Sequence, residues 1–160
     1  IERRLEFIHG EIREMSPVGP YHYDYIDFLN RWSMSNTSRE EATIQIQSAI
    51  LLGDSLPEPD VMWLKPKRYG GQRPTAADAL LIVEVAESSL RYDLGEKAML
   101  YSQAQIGDYW VVEVASQALQ RHREPSVDGY RDVRRFERHE KLSPLCKPEA
   151  VLPLEELFSE

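Results

Sequence analysis

Two β-rich apolar runs, ALLIVEVAE at 79–87 and DYWVVEVAS at 108–116, flank a stretch of helical periodicity, SSLRYDLGEKAMLYSQAQI at 88–106. No other feature constrains the fold as strongly. Strand, helix, strand at this spacing is a βαβ crossover, so the two strands are expected to lie parallel in one sheet with a right-handed connection. Apolar runs without alternation mark strands covered on both faces. Glu84 stands in the middle of the first run. A carboxylate there costs on the order of several kcal/mol unless a cation or hydrogen-bond donors meet it.

The rest of the chain supplies neighbours for that unit. RLEFIHGEIREM alternates apolar and polar residues about His9-Gly10 and predicts a β-hairpin with one buried face. SPVGP breaks the pattern, and YHYDYIDFLNRWSMS then spaces Tyr25, Ile26, Leu29 and Trp32 along one helix face. TIQIQSAILLG and PDVMWLK, parted by GDSLPEP, predict adjacent strands, the second starting behind Pro57 and Pro59. In the crossover helix Leu94, Ala98, Tyr101 and Ala104 form the apolar stripe, Ser88 and Ser89 stand at the N-cap, and Gly107 ends it. ALQRHREP and GYRDVRRFE pair about Asp128-Gly129, and LPLEELF reads as a short closing helix. The expected fold is a single domain over 1–160 of α/β (α+β) class, a sheet flanked by helices with an N-terminal β-hairpin.

Composition narrows the function. No apolar stretch approaches the roughly 20 residues of a membrane span. The formal net charge of -8 repels polyanions, so contact with nucleic acid needs local basic patches. Two candidates exist: Lys65, Lys67, Arg68 and Arg73 in KPKRYGGQRP, and Arg131, Arg134, Arg135 and Arg138 in YRDVRRFERHEK; either could equally be a solvated face. The single Cys146 excludes an intramolecular disulfide and a cysteine-built zinc site, and suits a cytoplasmic protein. The chain opens at Ile1 without an initiator methionine, so preceding residues are expected, and nothing visible resembles a targeting peptide. The apolar content of YIDFLNRWSM and of the C-terminal strands is generous for one small domain and suggests a homodimer.

Glu84 has an explanation if a second acid faces it. Asp60, behind Pro59 at the mouth of a neighbouring strand, can supply it. Hard divalent ions such as Mg²⁺ or Mn²⁺ take one or two carboxylates, a carbonyl and water, leaving positions for phosphate. Asp60, Glu84 and the Val85 carbonyl form such a set; a simple pair of Glu84 with Lys97 or an arginine is the other reading. Lys97 shares a helix face with Asp93 and Tyr101. It is either one half of a surface pair with Asp93 or, if that face turns toward Glu84, a cation that orients water and stabilises charge on phosphate.

The strings EPDV, LLIVEVAESS and DLGEKAMLYSQAQIGDYWVV, with HGEIREMSPVGPYH near the start, resemble the Uma family of "putative restriction endonucleases" in the PD-(D/E)XK nuclease superfamily. The resemblance runs from about Phe7 to Val114. It implies a restriction-endonuclease-like mixed sheet, DNA as substrate, Mg²⁺ or Mn²⁺ as cofactor, and Asp60 and Glu84 as the metal-binding acids. Where the superfamily usually has its lysine, two positions after the glutamate, this chain has Ala86, and the resemblance assigns the role to Lys97. Glu11 and His22 match polar positions of the family and, with Tyr101, could border the site. Glu113 replaces a common aspartate, and Glu87 adds an acid beside the site. The resulting expectation is a metal-dependent endonuclease acting on DNA; the alternative is a noncatalytic nucleic-acid- or protein-binding domain that keeps the fold.

Overall fold

A computed structural model describes residues 4–15 and 19–159; the break expected at SPVGP begins at 16–18, outside the described residues. The hairpin is present, β1 (Arg4–Ile8) pairing antiparallel with β2 (Glu11–Met15). His9 and Gly10 supply the turn with positive φ, 49° and 76°, whose twist suits paired strands. Its inner face is not the one Leu5 and Phe7 suggest. Those side chains are 45% and 41% exposed, while Glu6 and Ile8 turn inward. Side chains alternate along a strand, so putting Ile8 in the core brings Glu6 with it.

The main sheet has six strands in the order β3 (Thr43–Ile46), β4 (Val61–Leu64), β5 (Ala79–Ala86), β6 (Asp108–Glu113), β7 (Ala118–Arg123) and β8 (Asp132–Phe136). β5 and β6 run parallel, as the crossover requires, and the other neighbours are antiparallel. Alternation along β5 divides the core. Leu81, Val83 and Val85 pack toward α1 (Pro20–Ser35) and toward α4 (Leu154–Leu157), which follows the short pair β9 (Lys141–Leu142) and β10 (Leu152–Pro153). Ile82 and Ala86 face the crossover helices, and Glu84 shares their side of the strand. On α1, Tyr25, Ile26 and Leu29 are buried, Trp32 packs against the same core, and the Trp63 indole N–H donates to Ser33 Oγ at 2.8 Å. The apolar content that suggested a homodimer is thus largely used inside this chain. Among the described residues no helix is long and apolar enough to cross a membrane.

Three local expectations are corrected. The strand read in TIQIQSAILLG stops at Ile46, because Gln47 adopts φ 47° and turns the chain; beyond it Leu51 and Leu52 make only isolated bridges to Thr75 and Ser55. The crossover helix is divided at Gly95 into α2 (Leu90–Leu94) and α3 (Glu96–Gln103). A Cβ at Gly95 would lie 2.9 Å from the Arg91 carbonyl oxygen, so the break requires glycine. Gln105, with φ 64°, turns the chain after α3 in place of Gly107.

Candidate metal and lysine site

Asp60 lies one step beyond the Val61–Val83 pair, so the antiparallel register sets it opposite Glu84 on the same side of the sheet. Its main-chain N–H donates to Glu84 Oε1 at 3.1 Å, and the Val85 N–H donates to Asp60 Oδ2 at 2.8 Å. Asp60 Oδ1 lies 3.0 Å from His22 Nε2 and 3.7 Å from the Arg4 guanidinium. His22 is therefore a buried partner of Asp60 and not a surface residue of α1. The contact places the imidazole proton on Nε2.

Lys97, in the first turn of α3, is 0% exposed. Its Nζ lies 2.5 Å from Glu84 Oε2 and 2.8 and 3.0 Å from the two oxygens of Glu6. The rings of Tyr92 and Tyr101 flank it, each with its centroid 5.5 Å away. Tyr101 O–H donates to Glu84 Oε2 at 3.2 Å. The surface pairing of Lys97 with Asp93 is overturned: Asp93 is buried too, and its carboxylate accepts from Ser89 Oγ at 2.6 Å.

Four acids, Glu6, Asp60, Glu84 and Asp93, are buried here; Glu6 and Glu84 contact the buried Lys97 ammonium, Asp93 acts on it through space, and Asp60 has Arg4 beside it at the rim. Burial pushes the Glu84 carboxyl well above the usual range; Lys97 opposes this, and Asp60, Asp93 and Glu6 add to it. Asp93 is raised to about 6, first by burial. Burial works against the charge on Lys97, but Glu84, Glu6 and Asp93 outweigh it and raise the ammonium pKa. The lysine stays charged, and the acids are left short of positive charge.

A cavity of about 30 Å³ opens here, lined by Asp60, Glu84 and Val85 among others, with room for roughly two water-sized groups. Two carboxylates on one small cavity, with surplus negative charge, fit a hard divalent ion that keeps water and phosphate among its ligands. Among the described residues no group of three or more Asp, Glu, His or Cys side chains is arranged to enclose an ion.

Other sequence candidates fall elsewhere. Glu11 is exposed on β2, paired with Arg13 at 2.6 Å, and is not on the cavity. Lys65 follows the far end of β4, about 15 Å along the strand from Asp60, and Lys67, Arg68 and Arg73 lie in the loop that continues from it. Lys67 there pairs with Asp78 at 3.2 Å. Glu113 is held by Arg135 at 3.1 Å, whereas Glu87 does line the cavity. Sequence reasoning missed Glu6 and Arg4. The hairpin pattern carries two alternate faces, and only the tertiary burial of Ile8 selects the one that contains Glu6.

The chain resembles a crystal structure of a "putative nuclease belonging to DUF820" from Anabaena variabilis at 15% identity, with a TM-score of 0.79, covering 96% of this chain and 89% of that one. At such identity the likeness establishes the fold alone: a six-stranded mixed sheet flanked by helices with an N-terminal β-hairpin. No curated protein matches. The profile of the Uma2 family, described as "Putative restriction endonuclease", matches residues 2–155, and the chain belongs to that family.

Proposed function

We propose that residues 1–160 form one domain that acts as a metal-dependent endodeoxyribonuclease. The observation that carries this reading is the placement of Lys97, wholly buried and charged, against Glu84 while Glu84 also accepts the Asp60 N–H and both acids line a small acid-rich cavity. Mg²⁺ or Mn²⁺ bound by Asp60 and Glu84, with the Val85 carbonyl as a third donor, would supply Lewis-acid activation of water and phosphate. The chain's own residues do the rest. His22 and the Val85 N–H fix the two Asp60 oxygens, Tyr101 and the Asp60 N–H fix those of Glu84, and Lys97 supplies a permanent positive charge where phosphate charge develops. Arg4, at the rim and only loosely paired with Asp60, is suited to meet a DNA phosphate.

The direct test is cleavage of supercoiled and single-stranded DNA with Mg²⁺, with Mn²⁺ and with EDTA. Cleavage that needs the ion and is lost in Lys97→Met supports the reading; equal activity of variant and parent contradicts it. We also propose a cytoplasmic homodimer, since duplex cleavage favours two-fold symmetry; light scattering that returns an 18.5 kDa particle contradicts the dimer. A noncatalytic DNA- or protein-binding role has one observation in its favour: every oxygen of Asp60 and Glu84 already has a protein partner. Ion binding without cleavage would select it.

A further inference from the structure

The N-terminal hairpin reaches into the site through one side chain. An ammonium has three N–H donors, and those of Lys97 are directed at both oxygens of Glu6 and at Glu84 Oε2. Glu6 does not depend on the lysine in the same way. Its Oε1 also accepts the Glu58 N–H at 3.0 Å, and its Oε2 the Tyr92 O–H at 3.1 Å. The hairpin itself is tied down, with the His9 N–H donating to Ser55 Oγ at 2.8 Å and the Leu56 N–H to the Phe7 carbonyl at 2.6 Å. The Glu6 carboxylate is therefore fixed by groups other than Lys97 and remains partnered when one lysine bond is withdrawn. Lys97 ends a flexible four-carbon stem, and among the described residues its hydrogen-bond acceptors are the two glutamates, with the rings of Tyr92 and Tyr101 only flanking it.

We propose that Glu6 is a positioning residue: it sets the direction of the Lys97 ammonium toward Glu84 and holds in reserve the donor that Lys97 turns to a phosphate. The catalytic half rests on the nuclease reading above; the placement of the ammonium does not. On this account the hairpin belongs to the active centre, although its strands form no ladder with the main sheet.

The test uses ¹⁵N-lysine-labelled protein in EDTA. Lys97 of the parent is expected to give a slowly exchanging ammonium resonance, assigned by its loss in Lys97→Arg. In Glu6→Gln that resonance should vanish or exchange at least tenfold faster while the protein stays folded. With Mn²⁺ and duplex DNA, Glu6→Gln should lower kcat about 100-fold, the loss typical of a misplaced catalytic group, with KM and Mn²⁺ affinity within about threefold. In a Lys97→Met background the same change should add nothing to the loss. An unchanged slow resonance in Glu6→Gln, or full additivity with Lys97→Met, overturns the proposal. Should Glu6→Gln not fold, Glu6→Asp decides: the carboxylate withdrawn by one methylene should quicken exchange and slow cleavage severalfold, and parent values for both overturn it. If the parent cleaves no DNA, the nuclease reading fails, and the resonance alone decides whether Glu6 places the lysine.

Discussion

Replacing Lys97 by methionine removes a buried positive charge in contact with two buried carboxylates, the side chains of Glu6 and Glu84 being 2% and 5% exposed. Methionine fills most of the volume, so cavity formation contributes little. The loss is electrostatic. Breaking a buried pair by deleting one partner costs about 3–5 kcal/mol, because the remaining charge stays buried without compensation. An exposed i,i+4 pair, which sequence spacing allows equally well, would cost about 0.5 kcal/mol or less. The pH dependence has a definite sign. Lys97 has a raised folded pKa, so its contribution is complete at pH 7 and below the unfolded value of about 10.4. In the variant Glu84 and Asp93 lose the cation that opposed the upward shift of their pKa, and the folded state takes up protons more readily than the unfolded chain as pH falls. The penalty should therefore be largest near pH 7 and shrink toward pH 5. Urea denaturation in EDTA at both pH values measures it. A loss below about 1 kcal/mol at pH 7, or one that grows toward pH 5, would falsify the buried-network account.

Three further outcomes are expected. Asp93→Asn should stabilise the metal-free protein at pH 7: with the Asp93 carboxyl raised from 3.8 to about 6, the parent gains stability as pH falls from about 6 to 4, by at most roughly 3 kcal/mol, and thermal melts of the variant should lack that rise. Ser33→Ala leaves the buried Trp63 indole N–H without its acceptor and should cost about 1–3 kcal/mol in denaturant titration, with no change in ion affinity. Glu84→Gln in EDTA should stabilise the protein at pH 7, because burial holds the Glu84 carboxyl well above its usual range and its charge is therefore a net cost to folding there. A fall in melting temperature for that variant would show that the donors facing Glu84 outweigh the cost of its buried charge.

The parts of the fold written in periodicity were legible. The parallel β5–β6 pair, the hairpin turn, α1 and α4 follow from apolar spacing and turn residues, which are local. Glu84 was legible as an anomaly because a charge in a doubly covered strand needs a partner. Its partners were only half legible. Spacing sets Asp93, Lys97 and Tyr101 on one helix face without saying whether that face turns to solvent, and packing of α3 on β5 decides it. Glu6 was hidden by the two-fold ambiguity of the hairpin pattern, and His22 by the fact that one polar residue on an amphipathic helix carries no direction. The early end of β3 came from a positive φ at Gln47, where no glycine or proline announces it.

Calorimetric titration of Mn²⁺ into the parent, Asp60→Asn and Glu84→Gln in one buffer at pH 7 tests most directly whether Asp60 and Glu84 share an ion. Binding by the parent at one site per chain, with each substitution weakening it at least tenfold and the ion raising the parent's melting temperature by mass action, is the predicted result. Affinity that is undiminished in both variants contradicts the claim that Asp60 and Glu84 share an ion.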